Sequence, residues 1–256
     1  IGRREAEMRL FAAILLLAFA TAPVAAFEGK PKLGPDAVPL TEATEYLRTA
    51  PVPDYWKLAP FYQPQETSSA CSVASVAMAV NFVRGVPPGA EDPLVTQHGL
   101  LDAVADPAWA AKGAEGGDGV LFEELVDAVR KGLAAYGVEG AGVELFEPKD
   151  ASPETRARLR AVLEANEASD RDVLLAYFNQ GVLTGDWDGP HISPIGAFDA
   201  ANGRVLVMDV DREWYVPYWS TDAKLLEAML KPTSAEQGPL AGETGGLVWI
   251  KAPPRG

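Results

Sequence analysis

One thiol and two imidazoles are the only cysteine and histidine side chains among 256 residues. Cys71 lies in ETSSACSVASVAMAV (66–80), where small polar residues give way to an apolar pattern with helical spacing. A thiol in the first turn of a helix meets unpaired backbone N–H groups and the positive end of the macrodipole, which both favour a thiolate. Ser68 and Ser69 are the expected N-caps of that helix. The competing reading is a small inert hydrophobe, since Cys71, Ala74 and Met78 fall on one stripe. A nucleophile needs a base. His98, in the loop-rich stretch Thr96 to Gly99, is expected to be solvated and without a partner. His191 opens a strand directly after the Gly-rich turn 185–190, and Asp209 lies near the end of the next strand. Folding the chain about Asn202-Gly203 brings Asp209 within a few positions of directly opposite His191. A carboxylate there can orient an imidazole, which in turn takes the thiol proton. The alternative is a structural histidine at a strand mouth. Gln65, six residues before Cys71, can add a side-chain amide to the Cys71 backbone N–H as an oxyanion hole.

These side chains need elements to hold them. Apolar spacing predicts helices from about 69 to 84 and from 120 to 136, closed by Gly85 and Gly137. Ser152-Pro153 predicts the start of a third, running to about Asn166. Residues 27–65 are rich in proline and aromatics and predict an irregular arm, and 86–119 predicts loops. Strand patterns follow at 172–178, 191–198 and 204–210, the last two joined by a hairpin signal at Asn202-Gly203. Helices first and an antiparallel sheet second define an α+β class.

The first residues carry a processing signal. Arg9, the apolar run Leu10 to Ala20 and the small residues up to Ala26 have the order of a secretory signal peptide, with Met8 as its expected start. The expected organisation is 1–26 leader and upstream residues, 27–54 arm and 55–256 catalytic domain. The product is expected to be exported, periplasmic, and free of stable membrane association after cleavage near Ala26. Without residues 1–26, which carry Arg3, Arg4 and Arg9 against Glu5 and Glu7, the formal net charge moves from −14 to −15. Such acidity disfavours nucleic acid and anionic lipid as partners. One cysteine forbids an internal disulfide, and no Cys/His cluster suggests a protein metal site.

The order Gln65, Cys71, His191, Asp209 is that of papain-like cysteine peptidases. Within that clan, HISPIGAFD (191–199), with Asp209-Val210-Asp211-Arg212 beginning eighteen residues after the histidine and Tyr215 beyond it, resembles the phytochelatin synthase family. The resemblance spans roughly 55–232 and is densest over 179–230. It implies a papain-like α+β fold, with an N-terminal helical half carrying the nucleophile helix and a C-terminal antiparallel sheet half. It implies cleavage of the cysteinyl–glycine bond of glutathione, with γ-glutamylcysteine held as a thioester and passed to water or to a second glutathione. Hydrolysis is the expected main outcome and phytochelatin a minor one. By that resemblance Cys71 is the nucleophile, His191 the base and acid, Asp209 the orienting group and Gln65 the oxyanion donor. Arg212 and Tyr215 are the implied substrate contacts. Glutathione and γ-glutamyl peptides are the implied partners, no cofactor is required, and heavy-metal thiolates of glutathione enter only as substrate or activator. Ser72 after the cysteine and Pro190 before the histidine depart from the family's usual glycines. A non-catalytic binder of γ-glutamyl peptides or metal thiolates, and a peptidase for another short peptide, are the alternatives of different class.

Overall fold

The computed structural model describes residues 31–253, so the leader expected over 1–26 lies outside the described residues. In chain order come β1 (Val38–Pro39), α1 (Glu45–Thr49), α2 (Pro53–Leu58), α3 (Cys71–Arg84), α4 (Gln97–Val104), α5 (Pro107–Lys112) and α6 (Phe122–Ala135). Then follow β2 (Gly142–Phe146), α7 (Pro153–Glu167), β3 (Asp172–Asn179), α8 (Gln180–Thr184), β4 (Pro190–Asp199), β5 (Arg204–Val207), β6 (Tyr218–Thr221), α9 (Asp222–Leu230) and β7 (Gly246–Lys251). The strands form one sheet in the order β1-β6-β5-β4-β3-β7-β2, antiparallel at every pairing. The class is α+β.

β3 lies near the middle of this sheet, and its alternation decides which layer touches which face. Val173, Leu175 and Tyr177 join the core built on α3 and α6, whereas Leu174, Ala176 and Phe178 join the core built on α7 and α9. Successive strand residues point to opposite faces, so a strand covered on both sides is apolar at both parities. In β4 the parity reverses: Ile192 and Ala197 belong to the first core, Ile195 and Phe198 to the second. The register shift between Ile195 and Ala197 is the cause, a bulge that re-aims the strand. Gly196 sits in that shift because a Cβ there would meet Met208 Cγ at 2.7 Å.

α3 is buried from Ser72 to Phe82, as a helix apolar on all sides must be. Its few polar groups are all partnered, which burial requires. Ser75 donates to the Ile192 carbonyl at 3.1 Å, and Asn81 exchanges two hydrogen bonds with the backbone of Val95. Ser72 accepts from Trp109 Nε1 at 3.0 Å, docking α5 on α3. That contact gives a physical reason for the hydroxyl at a position where glycine was expected.

Three expectations need correction. The stretch 86–119 is not all loop: α4 and α5 form there, capped by Thr96 accepting from Gly99 N and by Asp106 accepting from Ala108 N and Trp109 N. The arm is not irregular throughout, for it holds α1 and α2 and joins the sheet through β1. The third expected strand stops at Val207. Among the described residues no helix is long and apolar enough to cross a membrane.

Candidate active site

Cys71 is the first residue of α3, half-buried against the core, and its N-cap is Ala70. The serines expected to cap the helix are used elsewhere. Ser68 holds Glu115 through both its N–H and its hydroxyl, and Ser69 donates to the Gly117 carbonyl at 2.6 Å. No side-chain cap therefore competes for the N–H groups around the thiol. Gly117 allows the loop to pass this close, since a Cβ there would stand 2.4 Å from the Lys112 carbonyl oxygen.

His191 is the second residue of β4. Pro190 opens the strand, where no ladder N–H is needed. The ring is buried, packs edge-on against Phe178 at 5.7 Å, and places Nε2 3.1 Å from Asp209 Oδ1 and 3.0 Å from Ser193 Oγ. Nε2 is thus occupied, which leaves Nδ1 as the ring nitrogen available to the thiol of Cys71, which lines the same cleft. Burial alone would lower the His191 pKa, but the charge and hydrogen bond of Asp209, with Cys71 adding to them, raise it to about 10. The imidazole is held as a cation at neutral pH.

Asp209 is fully buried and partnered at both oxygens. Oδ1 also accepts from Asp211 N at 2.9 Å, and Oδ2 accepts from Gln180 Nε2 at 2.8 Å. The β5 ladder ends before Asp209, and Val210 N turns instead to Ser193 Oγ at 3.3 Å. The Tyr62 hydroxyl holds the Asp209 carbonyl from the arm side. Gln180 and Ser193 were not foreseen in the sequence. A glutamine just past one strand and a serine inside another carry no local signal of whom they face.

Cys71 and His191 open into a cleft of about 510 Å³. Gln65 lines it, anchored by its N–H on the Val210 carbonyl, with Nε2 3.4 Å from the Ser68 carbonyl and Oε1 unpartnered. Tyr215 lines it too, donating to Asp186 Oδ2 at 3.0 Å. Arg212 does not line the cleft. Its guanidinium lies over the Tyr62 ring at 5.6 Å and borders a neighbouring depression with Lys32. His98 is exposed near the start of α4, 3.3 Å from Asp102, far from any buried chemistry. It is helical, not a loop residue, and has a partner in the next turn. Asp118, Asp186, Asp211 and Glu213 put four carboxylates in the walls, and burial, with Asp209 and Glu213 adding to it, pushes Asp211 above the usual range.

A thiol at a helix start, an imidazole in the same cleft and a buried carboxylate behind that ring can perform nucleophilic acyl transfer. Such an arrangement has the make-up of a cysteine-dependent acyl-transfer site on an α+β scaffold. The phytochelatin synthase family model matches residues 38–238, and the chain belongs to that family. It is 26% identical over 189 residues to glutathione gamma-glutamylcysteinyltransferase 3 of Lotus japonicus, covering 72% of this chain and 36% of that protein. With glutathione gamma-glutamylcysteinyltransferase 1 of Arabidopsis thaliana it shares 26% identity over 214 residues, 82% of this chain and 40% of the relative. The chain spans well under half the length of these relatives.

Proposed function

We propose that this chain is a glutathione-cleaving acyl transferase of papain-like design in which Cys71 attacks the cysteinyl carbonyl and expels glycine. The single observation that supports this most is the His191–Asp209 pair, with Nε2 and Oδ1 3.1 Å apart, sharing one cleft with Cys71 at the start of α3, inside a chain of this family. The thiolate adds to the carbonyl carbon while Gln65 Nε2 and the Cys71 N–H take the developing oxyanion. The His191 imidazolium gives its Nδ1 proton to the departing glycine nitrogen, and the C–N bond breaks. Neutral His191 then draws a proton from water, which opens the γ-glutamylcysteinyl thioester. Asp209 keeps the imidazole in one orientation throughout, and Tyr215 shapes the wall.

Water is the favoured acceptor in this reading. A second glutathione would have to bring its own negative charge against four carboxylates beside the thioester. Phytochelatin is then a minor product, and cadmium thiolates change the product ratio only modestly. The sequence from Arg9 to Ala26 supports export to the periplasm. The test is incubation of the purified chain with glutathione, following glycine and γ-glutamylcysteine by mass spectrometry. Stoichiometric glycine that disappears in Cys71→Ala is expected, and phytochelatin as the majority product would overturn the hydrolytic assignment.

A further inference from the structure

Glutathione carries two carboxylates and one ammonium, so a cleft built for it calls for at least one cation in its walls. Among the described residues the cleft has none beyond the His191 ring, which is already taken by Asp209: no lysine or arginine lines it, while Asp118, Asp186, Asp211 and Glu213 do. Among the described residues neither Asp118 nor Glu213 forms an ion pair. The nearby cations face elsewhere. Arg212 lies over Tyr62, Lys32 rests 4.2 Å from the Trp214 ring in the adjoining depression, and Lys231 is paired with Asp188 at 2.7 Å. The cleft is also edged by two indoles open to solvent, Trp187 (44% exposed) and Trp214 (55% exposed). The Trp187 ring packs onto Gly189, where a Cβ would stand 2.2 Å from it. Indole faces favour neutral or cationic groups and do nothing for a carboxylate.

We propose that the preferred leaving group of this cleft is an amine that carries no carboxylate, so that C-terminally amidated γ-glutamylcysteinyl peptides are cleaved faster than glutathione itself. The inference rests on the cysteine-dependent cleavage proposed above and names its substrate class. The carboxylates do not make the site, which Cys71 and His191 already define; they decide which charge may enter it. The α-ammonium of the γ-glutamyl group meets the acidic wall, and the amidated end meets the indoles. The step is redox-neutral. Cys71 Sγ bonds to the cysteinyl carbonyl carbon, the amide C–N bond breaks, His191 protonates the leaving nitrogen, and water later returns the thiol and a free acid.

The test compares kcat/KM for glutathione and for its glycinamide counterpart, which differ by one terminal charge and almost nothing in size. At about 20 mM salt the glycinamide form is expected to lead by about tenfold or more, and at about 500 mM salt the gap should shrink to about twofold as the field is screened. Asp118→Asn with Glu213→Gln should narrow the low-salt gap in the same way. Equal or faster cleavage of glutathione at low salt overturns the inference while leaving cysteine-dependent cleavage standing, and an undiminished gap in the double variant overturns the role given to the carboxylates. Failure to cleave either compound sinks the reaction itself, a separate and recognisable outcome.

Discussion

Asp209 and Asp54 are buried to the same depth, 0% and 1% exposed, and their surroundings could hardly differ more. Behind His191, Asp209 is met by an imidazolium, a backbone N–H and the Gln180 amide. In the first turn of α2, Asp54 has no hydrogen-bond partner for either oxygen. Burial pushes its pKa up to about 9, with the Glu167 and Asp172 charges adding and Lys57 opposing. Its neighbour Glu167, though it accepts from Phe198 N at 2.7 Å, is pushed up to about 7, again chiefly by burial. A buried carboxylate keeps its charge only where donors replace the water it lost, and otherwise takes a proton. One region surrounds its carboxylate with donors close to Cys71; the other leaves its carboxylate without any.

The sharpest way to break this contrast is to remove the partner that gives Asp209 its purpose. His191→Ala is expected to cost as much glycine release as Cys71→Ala, about 10⁴-fold, because such groups act as a unit. Asp209→Asn should be milder, since an amide still orients the ring, and His98→Ala should leave steady-state rates unchanged. Substantial loss at His98 with none at His191 would assign the chemistry to the wrong half of the molecule.

Stripping one donor from Asp209 is the next test. Gln180→Ala leaves Oδ2 buried and unpartnered, which moves Asp209 toward the condition of Asp54. A fall in kcat of about tenfold, with KM little changed, is expected. Wild-type kcat in a folded Gln180→Ala chain would show that the amide does not hold the carboxylate.

Stability against pH follows from both regions. His191 is raised from its ordinary 6.5 to about 10, so its contribution is complete below about pH 6.5 and is lost as pH rises through about 10. Asp54 and Glu167 have raised pKa values as acids, and the folded state binds protons the unfolded chain releases from about pH 4 upward. All three signs agree, so Tm should fall steadily from about pH 5 to pH 10. A Tm that rises over that interval contradicts the assignment. The smallest effect is Asp54→Asn, which removes the need for a bound proton and should raise Tm at pH 8 by about 2–4 °C without altering activity.

The clustering of Cys71, His191 and Asp209 was legible because it rests on rare residue types and on one short-range pairing. A lone cysteine before an apolar helix, and a histidine and aspartate joined through Asn202-Gly203, place three side chains with little help from the rest of the chain. Gln180 and Ser193 were not legible, because their partners are set by how β4 bulges at Gly196 and where β5 ends. Nor was β7, which slips between β3 and β2 after a long excursion and has no turn signal tying it to either. The two helices in 86–119 did leave a trace: Asp106-Pro107 is a capping residue followed by proline at the first helical position. The neighbouring Pro87-Pro88 and Gly116-Gly117 masked it. The serines before Cys71 misled for a tertiary reason, their hydroxyls being taken by the loop at 115–117.

The account stands on a thioester at Cys71, and trapping it is the most direct measurement. Acid-quenched protein taken within the first turnovers on glutathione, digested and mapped by mass spectrometry, should carry one γ-glutamylcysteinyl group on the peptide containing Cys71. Glycine should be released in equal amount, and neither signal should appear in Cys71→Ala. Glycine release that persists in Cys71→Ala, or an acyl group found on any other residue, would contradict the account.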